Sequence, residues 1–370
     1  MTGPVTSPVT SPVTSPVNGP LAVGPRIGSV AVVVPNWNGA DRLPPCIHSL
    51  AAQEHTAFEI IVVENGSTDA SRDVLDELVA EVVPVTLTVL HNDTNLGFAG
   101  GVNRGIRHAM DFGFDAIAMF NNDAVADRQW LRHLVAELDT HPDASIATGR
   151  LLMADGATVD STGDFYTTWG LAFPRDREGP SEPVRPSGYV FGASGGASLF
   201  RTSLFRDIGL LDEHFFAYFE DVDLSFRAQL AGHRVYYTEH AVAFHDQGST
   251  TRTVAGFGAT QFFRNLPLLL VKNVPARLFV PIAARFTLVY VLMIANSFRR
   301  GSGMAAMRGA VRGAGLVLWR GFRKRRAVQR TRRIPVDAVR QLLWPGLPPG
   351  MRVLRGLRNR LGRLVGRAPR

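Results

Sequence analysis

The sequence predicts a doubly wound α/β fold on a mostly parallel sheet, and three observations carry that expectation. Short apolar runs of strand length alternate with helical segments from Val30 to Phe120, as in a parallel sheet covered by helices on both faces. Each apolar run stops at a cluster of Asn, Asp, Glu or Gly, and ligands in such sheets bind just beyond the carboxyl ends of the strands. The 370 residues are 45% hydrophobic, enough for one large domain with additions.

Residues 4–20 repeat Pro-Val-Thr-Ser with prolines at every fourth position. Such a segment supports neither a helix nor a central strand and has little apolar mass, so residues 1–28 read as a disordered leader. Val30–Val34 reads as a buried strand ending at Pro35-Asn36-Trp37-Asn38-Gly39, with a helix over about 41–53 behind it. Glu59–Val63 is a second strand closed by Glu64-Asn65-Gly66-Ser67-Thr68-Asp69, and residues 71–80 are helical. Thr86–Leu90 is a third strand, after which Asn95–Asn103 opens a helix running to about Phe112. A fourth strand, Ala116–Phe120, stops at Asn121-Asn122-Asp123. The pattern is irregular over about 145–190, with short extended pieces.

Three carboxylates, Glu220, Asp221 and Asp223, follow four aromatics within five residues. Carboxylates in such an apolar approach are costly unless paired or working. Val222, Phe226 and Leu230 recur every four positions up to Gly232, which predicts a helix with Glu220 and Asp221 at its N-terminus, where the dipole favours negative charge. Arg234–Tyr237 and Ala241–Phe244 read as extended segments, with His245 at the exit of the second. An acidic helix cap followed by a surface histidine is the plainer reading of these residues.

The net charge of +8 conceals a division: residues 299–370 hold 20 of the 40 Lys and Arg and a single acid, Asp337. An acidic body with a basic tail points to an anionic surface as the tail's partner. Leu278–Ala295 is an 18-residue apolar stretch interrupted by Pro281 and Arg285. It approaches the length of a bilayer span, but the central arginine makes spanning costly, so lying in the interface is the better reading. Arginines alternating with Leu and Val after position 350 suit anionic lipid headgroups, and no nucleic acid is expected. The one cysteine, Cys46, excludes an internal disulfide and fits a reducing compartment. No secretory signal pattern precedes the folded part, which is expected in the cytoplasm.

The polar clusters at four successive strand ends form a floor suited to a nucleotide. Pro35, Asn36 and Asn38 offer backbone and amide groups to a base, and Trp37 either stacks or sits in the core. Glu64 and Asn65 offer a carboxylate and an amide. Asn95, Gly97, Phe98 and Asn103 lie around three glycines at a helix N-terminus, a place that accepts phosphate. The spacing is not G-x-G-x-x-G, which disfavours a dinucleotide. Asn122 and Asp123 stand where a hard divalent ion could hold diphosphate oxygens, with His245 as a second protein ligand.

In this order, Pro-Asn-Trp-Asn-Gly, Glu-Asn-Gly-Ser-Thr-Asp, Asn-Leu-Gly-Phe-Ala-Gly-Gly-Val-Asn, Asn-Asn-Asp, Gly-Ala-Ser and Glu-Asp-Val-Asp-Leu, the chain resembles the family 2 glycosyltransferases of GT-A fold. The similarity is greatest to the bacterial rhamnosyltransferase-like branch, over about Val30 to Arg300. The resemblance implies a catalytic domain over 29–255, with a nucleotide-sugar half to about 125 and an acceptor half beyond. Amphipathic membrane-proximal helices over 256–300 and a basic tail over 301–370 would follow it. It places Asp123 at the end of the family's metal-binding D-x-D motif, whose first position is Asn121 here. His245 falls where related enzymes complete a Mn²⁺ or Mg²⁺ site. Glu64 falls on the acid that contacts the nucleoside, Asp221 on the catalytic base, and Glu220 on a neighbour that orients the acceptor. Arg264-Asn265 and Lys272-Asn273 resemble a segment associated with membrane or lipid-linked acceptors. The implied reaction is inverting transfer from a nucleotide-diphosphate sugar to a cell-envelope polysaccharide or polyprenyl-linked acceptor. The implied donor is dTDP-rhamnose, ahead of UDP-sugars, and the implied place the cytoplasmic face of the membrane. A non-catalytic assembly subunit of the same fold is the alternative.

Overall fold

The computed structural model describes residues 25–55, 57–246 and 255–348. The repeat at 4–20 and the arginines beyond 350 lie outside the described residues.

In chain order β1 (Val30–Asn36), α1 (Leu43–Ala51), β2 (Phe58–Asn65), α2 (Ser71–Glu81), β3 (Leu87–Asn92), α3 (Gly97–Asp111) and β4 (Ala116–Phe120) form the expected alternation. β5 (Ala124–Ala126), α4 (Trp130–Thr140), β6 (Ala144–Met153), β7 (Val159–Ser161), β8 (Asp164–Tyr166), β9 (Ala172–Pro174) and β10 (Gly188–Val190) come next. They lead to β11 (Ala197–Arg201), α5 (Thr202–Ile208), α6 (Glu220–Ala231) and β12 (Arg234–His245). The main sheet runs β10-β12-β6-β11-β4-β1-β2-β3, with β5 on β12 and β7 on β6, while β8 and β9 pair separately. β3, β2, β1 and β4 are mutually parallel, as are β6 and β12. β11 runs antiparallel between β4 and β6 and joins the two halves.

The apolar alternation explains the layers. Val30, Val32 and Val34 of β1 pack toward α1, α2 and α4, while Ala31 and Val33 pack toward α3. Helix α6 is pressed from two sides: Leu224 and Ala228 join the core under α3, and Val222, Phe226 and Leu230 join a third core. Gly232 ends α6 in the left-handed conformation, φ 91°, as its position predicts.

Two expectations need correction. The irregular stretch contains β6, a ten-residue strand buried almost throughout. Its Ser145, Thr148 and Gly149 hid the apolar run, yet Thr148 is satisfied inside the sheet, taking part in a 2.8 Å hydrogen bond with the Ser198 hydroxyl. The two extended segments at 234–244 are one strand, β12, whose register on β6 shifts between Tyr237 and Val242. Gly149 faces that irregularity, where a Cβ would lie 2.0 Å from the Ala241 carbonyl oxygen.

Beyond β12 come α7 (Phe257–Asn273), α8 (Ala276–Arg299) and α9 (Gly303–Leu316), a π-helical turn at Val317–Gly321, α10 (Phe322–Arg330) and α11 (Val336–Leu342). Helix α7 is largely buried, its Leu266, Leu268, Leu269 and Leu270 filling the third core with Ile282, Phe286 and Val289 of α8. Helix α8 is long and apolar enough to cross a membrane by length and composition, and 17% of its most apolar window is buried. Val280, Leu288, Val291 and Phe298 project outward from it.

Candidate active site

A cleft of about 960 Å³ opens at the carboxyl ends of β1, β2 and β4. Pro35, Asn36, Trp37, Asn65, Asn95, Gly97, Phe98, Asn122 and Asp123 line it from the first half of the chain; Glu220, Asp221 and His245 line it from the second. One pocket therefore holds most of the residues expected from sequence.

The asparagines form its floor. Asn122 donates to the Asn36 side-chain oxygen at 2.7 Å, while Asn36 Nδ2 is buried without a partner among the described residues. A buried donor left open costs about 1–3 kcal/mol, so Asn36 is poised for a ligand acceptor. Asn65 accepts from Asn92 and the Leu96 N–H at 2.9 and 3.1 Å and donates to the Gly97 carbonyl at 3.0 Å. It locks β2 to the start of α3.

Several residues expected at the nucleotide instead hold the frame. Asn103 is spent on Leu211, accepting from its N–H at 3.0 Å and donating to its carbonyl at 2.9 Å; it does not line the cleft. Glu64 is fully buried behind the floor and accepts from the Ser67 N–H at 2.6 Å and Arg72 at 3.2 Å. Burial pushes its pKa up, but the Ser67 and Arg72 contacts win and hold it below the usual value. Asn38 accepts from the Thr68 N–H at 2.8 Å and ties the first strand-end loop to the second. At the start of α3, most of the N–H groups expected to meet phosphate already have partners. The Leu96, Gly97 and Ala99 N–H groups are taken by Asn65, Asn95 and the Phe216 carbonyl. Gly97 is required there, with φ 74° and room for no Cβ, which would lie 2.5 Å from the Phe216 oxygen.

Asp123 and His245 meet as expected, with His245 Nε2 3.0 Å from Asp123 Oδ1 and 3.1 Å from Asn121 Nδ2. On its other side Nδ1 lies 2.7 Å from Asp160 Oδ2, and Arg177 donates to Asp160 at 2.6 Å. Burial pulls the His245 pKa down, but the two flanking carboxylates outweigh it and push it up to about 9. Among the described residues no group of three or more His, Cys, Asp or Glu side chains stands in ligating geometry. The donor set still fits a divalent ion that takes its remaining ligands from diphosphate and water. The buried Asn121 Oδ1 has no partner among the described residues, and its position, where D-x-D has its first acid, offers a neutral oxygen beside Asp123.

The three acids separate by environment. Asp223 is structural: it accepts from Arg227, Lys272 and Asn273 at 2.8–2.9 Å, away from the cleft. Asp221 is held by two backbone donors, Gly195 N–H to Oδ2 at 2.9 Å and Val222 N–H to Oδ1 at 2.8 Å. Burial raises its pKa, and those backbone donors oppose the rise. Glu220 Oε2 is buried with no partner among the described residues, and burial followed by the Asp221 charge lifts the Glu220 pKa well above the usual value. Asp164, buried in the same wall, is raised likewise by burial and by Asp221. Carboxyls whose environments differ in this way divide acid and base roles.

The loop delivering these acids is strained. Phe216, Tyr218 and Phe219 have φ of 64°, 70° and 72°, a region that costs non-glycine residues on the order of 1–3 kcal/mol each. Asn265 of α7 holds the loop, donating to the carbonyls of Phe215, Ala217 and Tyr218 at 2.8–2.9 Å. Arg264 adds a 3.2 Å bond to Phe215, and Lys272 binds Asp212 and Asp223 at 2.7 and 2.8 Å. The Arg-Asn and Lys-Asn pairs expected near a membrane thus brace the acidic loop from behind. Sequence reasoning missed Asp160, Asp164 and Arg177, which line the cleft from the irregular stretch. The two aspartates had only an Asp-x-x-x-Asp spacing as a signal, and Arg177 had none.

Residues 31–209 match the family model described as glycosyl transferase family 2. The chain is 27% identical over 245 residues to the N-acetylglucosaminyl-diphospho-decaprenol L-rhamnosyltransferase of Mycobacterium tuberculosis, covering 60% of this chain and 76% of that protein. It is 24% identical over 247 residues to a low-salt glycan biosynthesis hexosyltransferase of Haloferax volcanii, covering 65% and 74%. A similar solved structure is a mannosyltransferase from Pyrobaculum calidifontis in complex with GDP-Man and Mn²⁺, with TM-score 0.53, 18% identity and coverage of 90% and 92%. Residues 1–349 of S. aureus TarS in complex with UDP give 0.51, 16%, 87% and 95%. These likenesses are of fold.

Proposed function

From the premise that this chain carries a family 2 glycosyltransferase domain on a GT-A fold, we propose that it is an inverting transferase. It moves a sugar, rhamnose first among candidates, from a nucleoside-diphosphate donor to a lipid-linked or growing envelope glycan. The observation that carries this reading is Asp221, a carboxylate fixed by two backbone N–H groups in the same cleft as the Asp123–His245 pair.

Asp221 removes the proton from an acceptor hydroxyl as that oxygen forms its bond to the anomeric carbon. The bond from that carbon to the diphosphate oxygen breaks in the same step, and the configuration inverts. Glu220, whose carboxyl burial and the Asp221 charge make harder to ionise, orients acceptor or sugar. Asp123 and His245, with Asn121 beside them, would hold Mn²⁺ or Mg²⁺, which when bound supplies positive charge to the departing diphosphate. Asn36 and Asn122 meet the nucleoside, and Trp37 gives it an aromatic wall. The relative named for a decaprenol-linked substrate and the exposed apolar face of α8 support a polyprenyl acceptor. They also support a place at a membrane, and the reading puts the protein peripherally on its cytoplasmic face.

The test is turnover of a panel of nucleotide sugars, dTDP-rhamnose and UDP-sugars included, by purified protein with Mn²⁺ or Mg²⁺ and a polyprenyl-diphosphate acceptor. Release of nucleoside diphosphate from one donor, abolished by chelator, is expected. Donor binding with no turnover on any acceptor would instead favour the assembly subunit.

A further inference from the structure

We propose that a second groove, on the helical layer, binds the phosphate-bearing headgroup of an anionic phospholipid. The groove has a volume of about 750 Å³ and lies between the start of α8, α10 and the start of α11. Arg277, Arg325, Arg326, Arg330 and Arg332 line it, against a single lining acid, Asp337. Its floor is pinned. Arg325 donates to the Val271 and Val274 carbonyls at 2.7 and 2.6 Å and stacks 4.8 Å from the Phe279 ring, and Gln329 donates to the Asn273 carbonyl at 2.9 Å. The Arg277, Arg326 and Arg330 side chains make no hydrogen bond or ion pair with any described residue. Three unengaged guanidinium forks around one concavity repel one another until an anion enters, and a phosphate accepts such forks two bonds at a time.

Two features select a lipid over a soluble phosphate. Phe322, on the groove wall, is 56% exposed, and Leu318 and Trp319, one turn before it, are 77% and 71% exposed. Val280, one turn into α8 and three residues beyond the lining Arg277, is 73% exposed. Phe322 thus brings an exposed apolar side chain into a cationic hollow, and exposed apolar residues follow along both helices that lead from it, as an acyl chain beside its headgroup would require. The donor diphosphate is not the occupant. Phe257, Gly258 and Phe262 line the catalytic cleft at the start of α7, whereas the groove lies past its end, about 25 Å along the helix.

The proposal deepens the membrane part of the reading above, so lipid binding is measured apart from transfer. Full-length protein is floated with phosphatidylcholine vesicles that contain or lack phosphatidylglycerol, at fixed ionic strength. The triple variant R277Q/R326Q/R330Q is compared with a control of equal charge change, R299Q/R300Q/R308Q. Expected are binding that depends on phosphatidylglycerol and a loss about tenfold greater in the groove variant than in the control. Unchanged nucleotide-sugar binding by calorimetry in the groove variant is also expected, which shows that it folds. Equal losses in the two triples overturn the site and leave diffuse membrane attraction standing. Displacement of vesicles by inorganic phosphate at matched ionic strength overturns the lipid assignment. Absence of wild-type binding to any vesicle overturns both the site and the membrane reading, and leaves the transferase reading untouched.

Discussion

Replacing Asp221 by Asn separates the chemistry of its carboxylate from its place in the fold. The side chain accepts two backbone N–H bonds, at 2.9 Å from Gly195 and 2.8 Å from Val222, one on each oxygen. Asparagine keeps one acceptor, so one donor must face an amide NH₂, at about 1–3 kcal/mol of stability. Removing a buried charge works the other way. Burial raises the pKa of Asp221, so the folded state holds its proton more tightly than the unfolded state. Its contribution to stability is present at low pH and lost as pH rises through the folded pKa. At neutral pH the two effects oppose, and the melting temperature of D221N should stay close to wild type. Transfer should fall about 10²–10⁴-fold, the usual worth of a general base, while calorimetric affinity for the nucleotide sugar is kept. The wild-type rate should show an acid limb above the ordinary aspartate value of about 3.9, and D221N should lose that limb. Glu220→Gln, which keeps the shape of a carboxyl that burial and the Asp221 charge make harder to ionise, should cost about tenfold or less, below the usual worth of a general base. The assignment fails if D221N keeps transfer within tenfold, or if E220Q is the more damaging change.

Two further outcomes follow from the geometry. Asp160→Asn removes the carboxylate that orients His245 through Nδ1 and leaves Arg177 without its partner; Mn²⁺ affinity in the presence of nucleoside diphosphate, followed by electron paramagnetic resonance, should weaken about 10–100-fold. Unaltered Mn²⁺ affinity would show that Asp160 has no part in positioning the ligand. Lys272→Met breaks the buried link between Asp212 and Asp223. Removing one partner of such a pair costs about 3–5 kcal/mol. Asp212 keeps Lys324, and Asp223 keeps Arg227 and Asn273, so urea unfolding should read about 3 kcal/mol, the lower end of that range. A change below about 1 kcal/mol would rule out the brace. Burial raises both aspartates, but Lys272 and the other partners outweigh it and hold both below the usual value. Their contribution is therefore present above the ordinary carboxylate pKa and lost as pH falls, and K272M should show a shallower acid loss than wild type.

Most of the nucleotide half was legible because its signals are local. Val30–Val34 and Ala116–Phe120 are buried on both faces, so their runs are continuous and their ends are marked by Asn and Asp. The spacing of Val222, Phe226 and Leu230 gave α6, and Gly232 its end, for the same reason. The second half was less legible. β6 carries Ser, Thr and Gly inside a buried sheet, where cross-strand partners satisfy what the one-dimensional pattern reads as polar. The helical layer was also less legible, because apolar and basic residues mean opposite things on its two faces: Lys272 is buried among aspartates, while Arg326 is exposed.

The order of motifs by itself determined the family, the sheet that carries the cleft, and the meeting of Asp123 with His245 and of Glu220 with Asp221 in one site. Only the tertiary structure decided what each polar group is free to do. Asn103 and the Leu96 and Ala99 N–H groups at the start of α3 are consumed by Leu211, Asn65 and Phe216, all distant in sequence, and Glu64 by the nearby Ser67 and Arg72, whereas Asn36 Nδ2, Asn121 Oδ1 and Glu220 Oε2 have no partner among the described residues. A side chain's type is written in the sequence. Whether its hydrogen-bonding capacity is already spent depends on which distant segments fold against it, since a buried polar group without a partner is tolerated chiefly where a ligand completes it.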